Sequence, residues 1–470
     1  MYLELDSKDK ESVALMDSEG TSITYGGILG FAEKWKKSIK DRVLVFILSR
    51  NCVGAAAGYL GTMINHIVPL MLGAGMDQGL LKTLTDIYGP SYVWKPVEMV
   101  GGRENILLQE YGYALVATGL PSCPMYEELS LLLTTSGSTG SPKLVRHSYG
   151  NLEAQARNIS AFFGLDSSER PMVDLPIHYT YGLSVLNSHL YVGATVLLTG
   201  MNVLNPTYWD FLKEERASSF TNVPYSYEIL KKLRVFRMDL PHLKTFSQGG
   251  GKLDEGLHRE FAEFARNTGR RFIVTYGQTE GSARMAWLPP EYALEKCGSI
   301  GKAIPGGKLY IVDEDGRVID RPGVIGEMVY EGPNVTLGYA EKGEDLALGD
   351  ERHGVLYTGD MVRTDSDGFF YIVGRKKRFL KLWGYRVGLD ECENLIKAAF
   401  DVECACVGDD QCMRIYMNSR QDMDAVKRYI ADKTGINSSA FRTHYIEALP
   451  RNEAGKVLYS ALDDFGRGHT

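Results

Sequence analysis

The chain has 470 residues, of which 44% are hydrophobic and 24% charged. That is the make-up of a globular enzyme, and it is long enough for two or more domains. A net charge of −7 gives no electrostatic case for a nucleic-acid partner, and no apolar run approaches the length of a membrane helix.

Met1–Glu11 is mostly charged and polar, without the basic and apolar blocks of a secretory signal. Seven cysteines are scattered from Cys52 to Cys412, with no Cys-x-x-Cys pair and no histidine at metal-binding spacing. Reduced cysteines and a cytoplasmic location are therefore expected. In chain order, Val43–Leu48 is predicted to be a buried strand, Cys52–Asn65 a closely packed helix and Ile67–Leu70 a short strand. This βαβ alternation predicts an α/β fold with mixed and largely parallel sheets flanked by helices.

The next apolar segment, Leu131-Leu132-Leu133, feeds a loop of hydroxyls and glycines that ends at Lys143. Glycines let successive N–H groups face an anion, hydroxyls add donors and the lysine adds charge. The nucleotide P-loop pattern is absent, because Pro142 precedes the lysine and Leu144 follows it. Alone, the loop reads equally as a polyphosphate cradle or as a surface turn. A helix is predicted over Tyr149–Phe163. Ser247-Gln248-Gly249-Gly250-Gly251 ends a strand, and a helix is predicted over Asp254–Thr268. Bare backbone there can lie against a purine ring, or simply make a tight turn.

Tyr276-Gly277-Gln278-Thr279-Glu280 offers an aromatic face, a hydroxyl and a carboxylate suited to Mg²⁺. From Gly298 to Tyr371 helices vanish and Gly/Asp/Pro turns recur, which predicts an antiparallel, barrel-like region. Within it, Tyr357-Thr358-Gly359-Asp360 is read as a turn presenting an acid. The composition changes at Gly374–Arg378, so the chain is divided into domains at 1–375 and 376–470. Beyond lie a helix over Asp390–Phe400, strands around Cys404 and Ile415, and a helix over Asp422–Thr434. Cys404 and Cys406 sit two apart and would face one side of a strand. Near the end comes Gly455-Lys456.

Taken together and in this order, from Ile23-Thr24-Tyr25-Gly26 to Lys456, the segments resemble the adenylate-forming enzymes: acyl-CoA synthetases, stand-alone amino-acid adenylation domains and luciferases. The resemblance implies a large N-terminal domain that includes a distorted β-barrel, and a small mobile C-terminal lid. It implies that a carboxylate attacks the α-phosphate of ATP, and that a thiol of CoA or of a carrier-protein phosphopantetheine then displaces AMP. Alignment and charge neutralisation would carry the catalysis.

Position by position, Thr135, Ser136, Gly137, Ser138, Thr139, Gly140 and Lys143 would hold the β- and γ-phosphates. Gly249, Gly250 and Gly251 would line one face of adenine, with Tyr276, Gly277 and Gln278 at the other. Thr279 would meet the α-phosphate and Glu280 would bind Mg²⁺. Asp360 and Arg375 would hold the ribose hydroxyls, and Lys456 would stabilise the adenylation transition state. Lys377 would be the hinge pivot, with Lys381 and Gly384 near the thiol, while Lys376 and Arg378 read as solvated charge. His178 would line the acyl or thiol site, and Tyr179, Tyr181, Met285 and Trp287 the acyl pocket, or simply core. Leu144 departs from a common glycine, which would change loop packing more than chemistry, and Arg378 departs from a common acid, so an ion pair made there in relatives is not assumed. No aspartate lies between Ile177 and Ser184 to hold an α-ammonium, which favours an otherwise uncharged acyl acid over an amino acid. The alternatives are a stand-alone amino-acid adenylation enzyme and a non-catalytic nucleotide or acyl-adenylate sensor. Glu280 and Lys456 argue against the sensor.

Overall fold

A computed structural model describes every residue except 135–142, 377, 384, 410, 453–454 and 463–470. Its described residues fall into two compact units. The first comprises Met1–Gly137, Ser141–Lys308 and Tyr330–Leu356; the second chiefly Leu309–Val329 and Tyr357–Thr470.

Two large sheets dominate the first unit, one of eight strands and one of nine. Leu44–Ser49 and Val68–Gly73 lie side by side, parallel, in the middle of the eight-stranded sheet, and every residue of both is buried. Such unbroken burial is what apolar runs without alternation dictate when both faces are covered. One cover is the helix Val53–Ile64, buried along nearly its whole length. The parallel heart of the other sheet is formed by Ser219–Asn222, Thr245–Gln248 and Arg271–Tyr276. Parallel strands deliver their C-terminal ends to one edge, where α/β sheets bind ligands. The segments after Gln248 and after Tyr276 both leave from that edge.

Helix starts follow local chemistry. Tyr149–Phe163 begins at a capping box in which Ser148 accepts from Asn151 N and the Asn151 side chain accepts from Ser148 N. Glu255–Asn267 begins at Asp254, which accepts from Leu257 N.

The second unit is built around a four-stranded sheet, a two-stranded ribbon and a three-stranded sheet. In the first of these, Val355–Thr364 and Phe370–Arg375 pair antiparallel. Tyr357–Asp360 is therefore not the turn the sequence suggested; it lies inside a ten-residue strand, whose register shifts between Met361 and Val362. Gly359 takes φ +71° there, which is what looked like a turn signal. The helices Leu389–Ala399 and Met423–Thr434 accompany the three-stranded sheet of Cys404–Asp409, Cys412–Met417 and Phe441–Tyr445. Cys404 and Cys406 point into one core with Ile396 and Ile430, while Ala405 faces another with Leu449, as strand alternation requires. Among the described residues, no helix is long and apolar enough to cross a membrane.

Candidate active site

In the first unit the chain makes a tight excursion between strands Arg271–Tyr276 and Ala286–Leu288, which pair antiparallel. A Cβ on Gly277 would lie 1.5 Å from Ala283 O, so only glycine fits. Thr279–Gly281 forms a single 3₁₀ turn, and Ser282 and Ala283 both take positive φ, +50° and +79°. Two successive non-glycine residues in this region cost on the order of 1–3 kcal/mol each, and surrounding contacts hold them there. Asn334 Nδ2 donates to Gly281 O at 2.7 Å and to Arg284 O at 3.1 Å. Gln155 Nε2 donates to Ser282 O, and His147 Nδ1 lies 3.2 Å from Ser282 Oγ. Burial, then Arg352, lowers the His147 pKa to about 3, so its ring is neutral at any working pH.

The excursion presents Glu280. Its Oε1 accepts from the Tyr339 hydroxyl at 2.7 Å. Lys143 Nζ stands 3.6 Å over the centre of the same Tyr339 ring and 3.4 Å from Glu341. Arg352 lies 4.5 Å from the ring centre as well. Burial and then the Glu280 charge raise the Tyr339 pKa, so the phenol keeps its proton and acts as donor. Tyr339 thus joins the two charged residues that the sequence assigned to magnesium and phosphate. It was not among the expected site residues, because it is separated from Glu280 by 59 positions. Only the antiparallel pairing of Tyr339 with Val145 and Ala340 with Leu144 brings it beside Lys143. That pairing also explains Leu144, which is fully buried with Leu337, Ala340 and Leu346 and makes the lysine the last loop residue before a core strand.

The donor set fits magnesium. Glu280 Oε2 has no protein partner among the described residues, and a carboxylate oxygen is a ligand this cation accepts. Among the described residues no cluster of three or more acidic, histidine or cysteine side chains could hold a metal alone. The remaining ligands would be phosphate oxygens and water, the usual arrangement for magnesium with a nucleotide.

The glycine segment is equally restricted. A Cβ on Gly249 would meet the Tyr181 hydroxyl at 2.6 Å and Thr275 Oγ1 at 2.7 Å, and Gly250 has φ +78°. The Tyr181 hydroxyl lies 3.3 Å from Thr275 Oγ1. Tyr181 is thereby brought to the glycine face, together with the strand end that carries Tyr276 and Gly277. Tyr276 is buried, and its hydroxyl accepts from Gln278 Nε2 at 3.2 Å. Thr279 is half-buried. His178 is buried with its ring 4.5 Å from Tyr179, just before the helix Thr180–Tyr191. Met285 is fully buried under Gly281, whereas the half-buried Trp287 ring lies 4.9 Å from Phe162 on the long helix.

The second unit holds the other expected residues. Asp360 and Arg375 are directly opposed in their sheet, with Arg375 Nε donating to Asp360 Oδ1 at 3.1 Å. The Asp360 carboxylate is almost completely buried, while the Arg375 side chain is 61% exposed. Lys456 is exposed in a closed turn, where its N–H donates to Asn452 Oδ1 at 2.9 Å and Asn452 N donates back to Lys456 O at 2.9 Å. Lys381 lies on the strand Phe379–Leu382. Thr135, Ser136, Gly137, Ser138, Thr139, Gly140, Lys377 and Gly384 lie outside the described residues.

The reading of Arg378 as solvated charge is corrected, whereas Lys376 is exposed and ion-paired at once. Lys376 Nζ donates to Glu327 at 2.6 Å, a carboxylate only 10% exposed. Arg378 pairs with Asp390 and, at 2.8 Å, with buried Glu393, and its guanidinium lies 3.7 Å from the Tyr459 ring centre. Burial opposes the Arg378 charge, but Glu393, Tyr459 and Asp390 outweigh it and raise the pKa. Arg378 is therefore ion-paired, to Asp390 and Glu393.

Residues 10–340 match the AMP-binding enzyme family. A 2-succinylbenzoate–CoA ligase of Geobacillus kaustophilus is 29% identical over 350 residues, covering 72% of this chain and 69% of that protein. An indoleacetate–CoA ligase of Aromatoleum aromaticum is 32% identical over 283 residues, covering 59% and 54%. The fold matches o-succinylbenzoate CoA synthetase from Bacillus subtilis, solved with its acyl-adenylate intermediate, at a TM-score of 0.80, 20% identity and 98% coverage of both chains. The chain belongs to the AMP-binding enzyme family and is an AMP-forming acid–thiol ligase.

Proposed function

We propose that this ligase activates a small carboxylic acid with ATP and magnesium and transfers the acyl group to CoA. The observation that carries the reading is the convergence of Glu280 and Lys143 on Tyr339, in the same unit as the restricted glycine face at Gly249. Glu280 is held by one oxygen and offers the other to magnesium. Lys143 supplies positive charge for the leaving pyrophosphate, together with the donors of residues 135–140. Gly249–Gly251 and Tyr276 take the adenine, Thr279 the α-phosphate, and Asp360 with Arg375 the ribose hydroxyls. Lys456 neutralises charge on the α-phosphate during attack. Lys377 is the pivot of a C-terminal lid, residues 376–470, that would alternately present Lys456 and the segment around Lys381 and Gly384. Relatives named as CoA ligases favour CoA over a carrier-protein phosphopantetheine. Seven free cysteines favour a reducing, cytoplasmic setting.

Acid-dependent exchange of pyrophosphate into ATP, over a panel of acids that includes 2-succinylbenzoate and indoleacetate, tests this. Exchange with non-amino acids, followed by CoA-dependent AMP release, is expected. Exchange with amino acids alone would select the amino-acid adenylation reading. ATP binding without exchange would select a sensor.

A further inference from the structure

Arg284 is the first residue beyond the strained pair Ser282–Ala283, on the returning arm of the loop that carries Glu280. Its side chain is fully enclosed, with only 2% of the residue exposed. An arginine stays charged in any protein environment, and a buried charge without a counter-charge is costly. Yet no carboxylate pairs with it among the described residues. Its guanidinium instead lies 4.9 Å from the Phe163 ring centre and 5.3 Å from that of Tyr181. The Nε atom has no hydrogen-bond partner. Tyr181 also hydrogen-bonds the guanidinium through its hydroxyl, which is not a carboxylate, and His189, which feels the charge, brings no compensation. Its Nδ1–H donates to Val185 O at 2.8 Å, and burial holds the ring neutral, with a pKa of about 4. Cation–π contacts recover only part of what a buried ion normally requires.

The position of this unbalanced charge gives it a use. Tyr181 is half-buried, and it touches both Arg284 through its ring and the Gly249 face through its hydroxyl. Met285, adjacent in sequence, lies under Gly281. Arg284 therefore stands one aromatic ring away from the face proposed for the adenylate, among the side chains proposed to line the acyl pocket. A planar guanidinium there is shaped to take a carboxylate by two parallel hydrogen bonds.

We infer that Arg284 receives a second anionic group of the acid substrate, so that the ligase activates one carboxylate of a dicarboxylic acid while Arg284 holds the other. This rests on the proposed ligase reading and narrows it. It differs from the expectation of an otherwise uncharged acid, which rests on the run Ile177–Ser184 alone.

The test is pyrophosphate exchange with matched pairs of acids: aliphatic and aromatic dicarboxylic acids against their mono-methyl esters and mono-amides. A site built around a buried charge rejects a neutral partner strongly, so a preference for the diacid of on the order of 100-fold in kcat/KM is expected. Arg284→Met should abolish that preference by raising the diacid KM while leaving the KM for ATP unchanged. Arg284→Lys should retain part of it. Equal use of diacid and ester by the wild-type protein would overturn the inference. So would an equal loss for both acids in Arg284→Met, which would make the arginine structural or a partner of the reacting carboxylate. Should Arg284→Met not fold, the wild-type pairs and Arg284→Lys decide. Exchange with no acid at all would instead contradict the ligase reading, and this inference with it.

Discussion

At the scale of single residues, Tyr339 is the link that would make separate motifs one site. Its hydroxyl fixes one oxygen of Glu280 while its ring faces Lys143. A hydrogen bond to a charged group is worth about 1.5–3 kcal/mol, so Tyr339→Phe should raise the magnesium concentration needed for half-maximal exchange roughly tenfold or more. The check is a magnesium titration at fixed ATP, and an unchanged midpoint would detach Tyr339 from the metal. Lys456 makes a different prediction. Because it is exposed in a turn closed by backbone bonds of Asn452, its removal should not disturb folding. Lys456→Ala should leave ATP affinity nearly intact and lower exchange by orders of magnitude; near-normal exchange would remove the lysine from the mechanism. Glu280, Lys143 and Gly249 of the proposed site stand out in the sequence because local motif chemistry marks them. Tyr339 and Arg284 do not, because a lone tyrosine or arginine carries no local signal until strand pairing or burial gives it a partner or denies it one.

At the scale of elements, strands and helices were largely legible and the short connections were not. Apolar runs such as Leu44–Ser49 and a capped helix such as Tyr149–Phe163 are specified by local pattern. Asp360 was misassigned to a turn because Gly359 mimics a turn signal within a strand. Arg378 was misread because its acidic partners, Asp390 and Glu393, belong to a helix that follows the ribbon. One connection makes a pH prediction. Asp174, at the end of strand Pro171–Val173, accepts both amide bonds of Asn222 Nδ2 at 2.9 Å. Burial raises its pKa to about 7. The folded chain then holds this proton to higher pH than the unfolded chain, whose aspartates titrate near ~4. The group's contribution to stability is therefore greatest below ~4 and is lost as pH rises to about 7. Asp174→Asn should flatten this part of the stability profile, seen in Tm measured from pH 5 to 8. A parallel profile in the variant would show that Asp174 does not carry the proton.

At the scale of the whole molecule, the order of motifs from Ile23 to Lys456 carries the resemblance to the family, and the match over residues 10–340 agrees. The two compact units divide the proposed machinery: Glu280, Lys143 and Gly249 belong to one, Asp360, Arg375 and Lys456 to the other. Lys377→Pro should spare acyl-adenylate formation and abolish thioester formation, measured as exchange against acyl-CoA yield; equal loss of both would count against a pivot there. In the proposed reaction the acid is activated by attack on the α-phosphate. The most direct test of this supplies an acid labelled with ¹⁸O in both carboxylate oxygens, together with ATP, magnesium and CoA. The bond chemistry predicts that each AMP released carries one labelled oxygen, because the bridging oxygen leaves with phosphorus when the thiol attacks. Unlabelled AMP, or ADP as the nucleotide product, would contradict it.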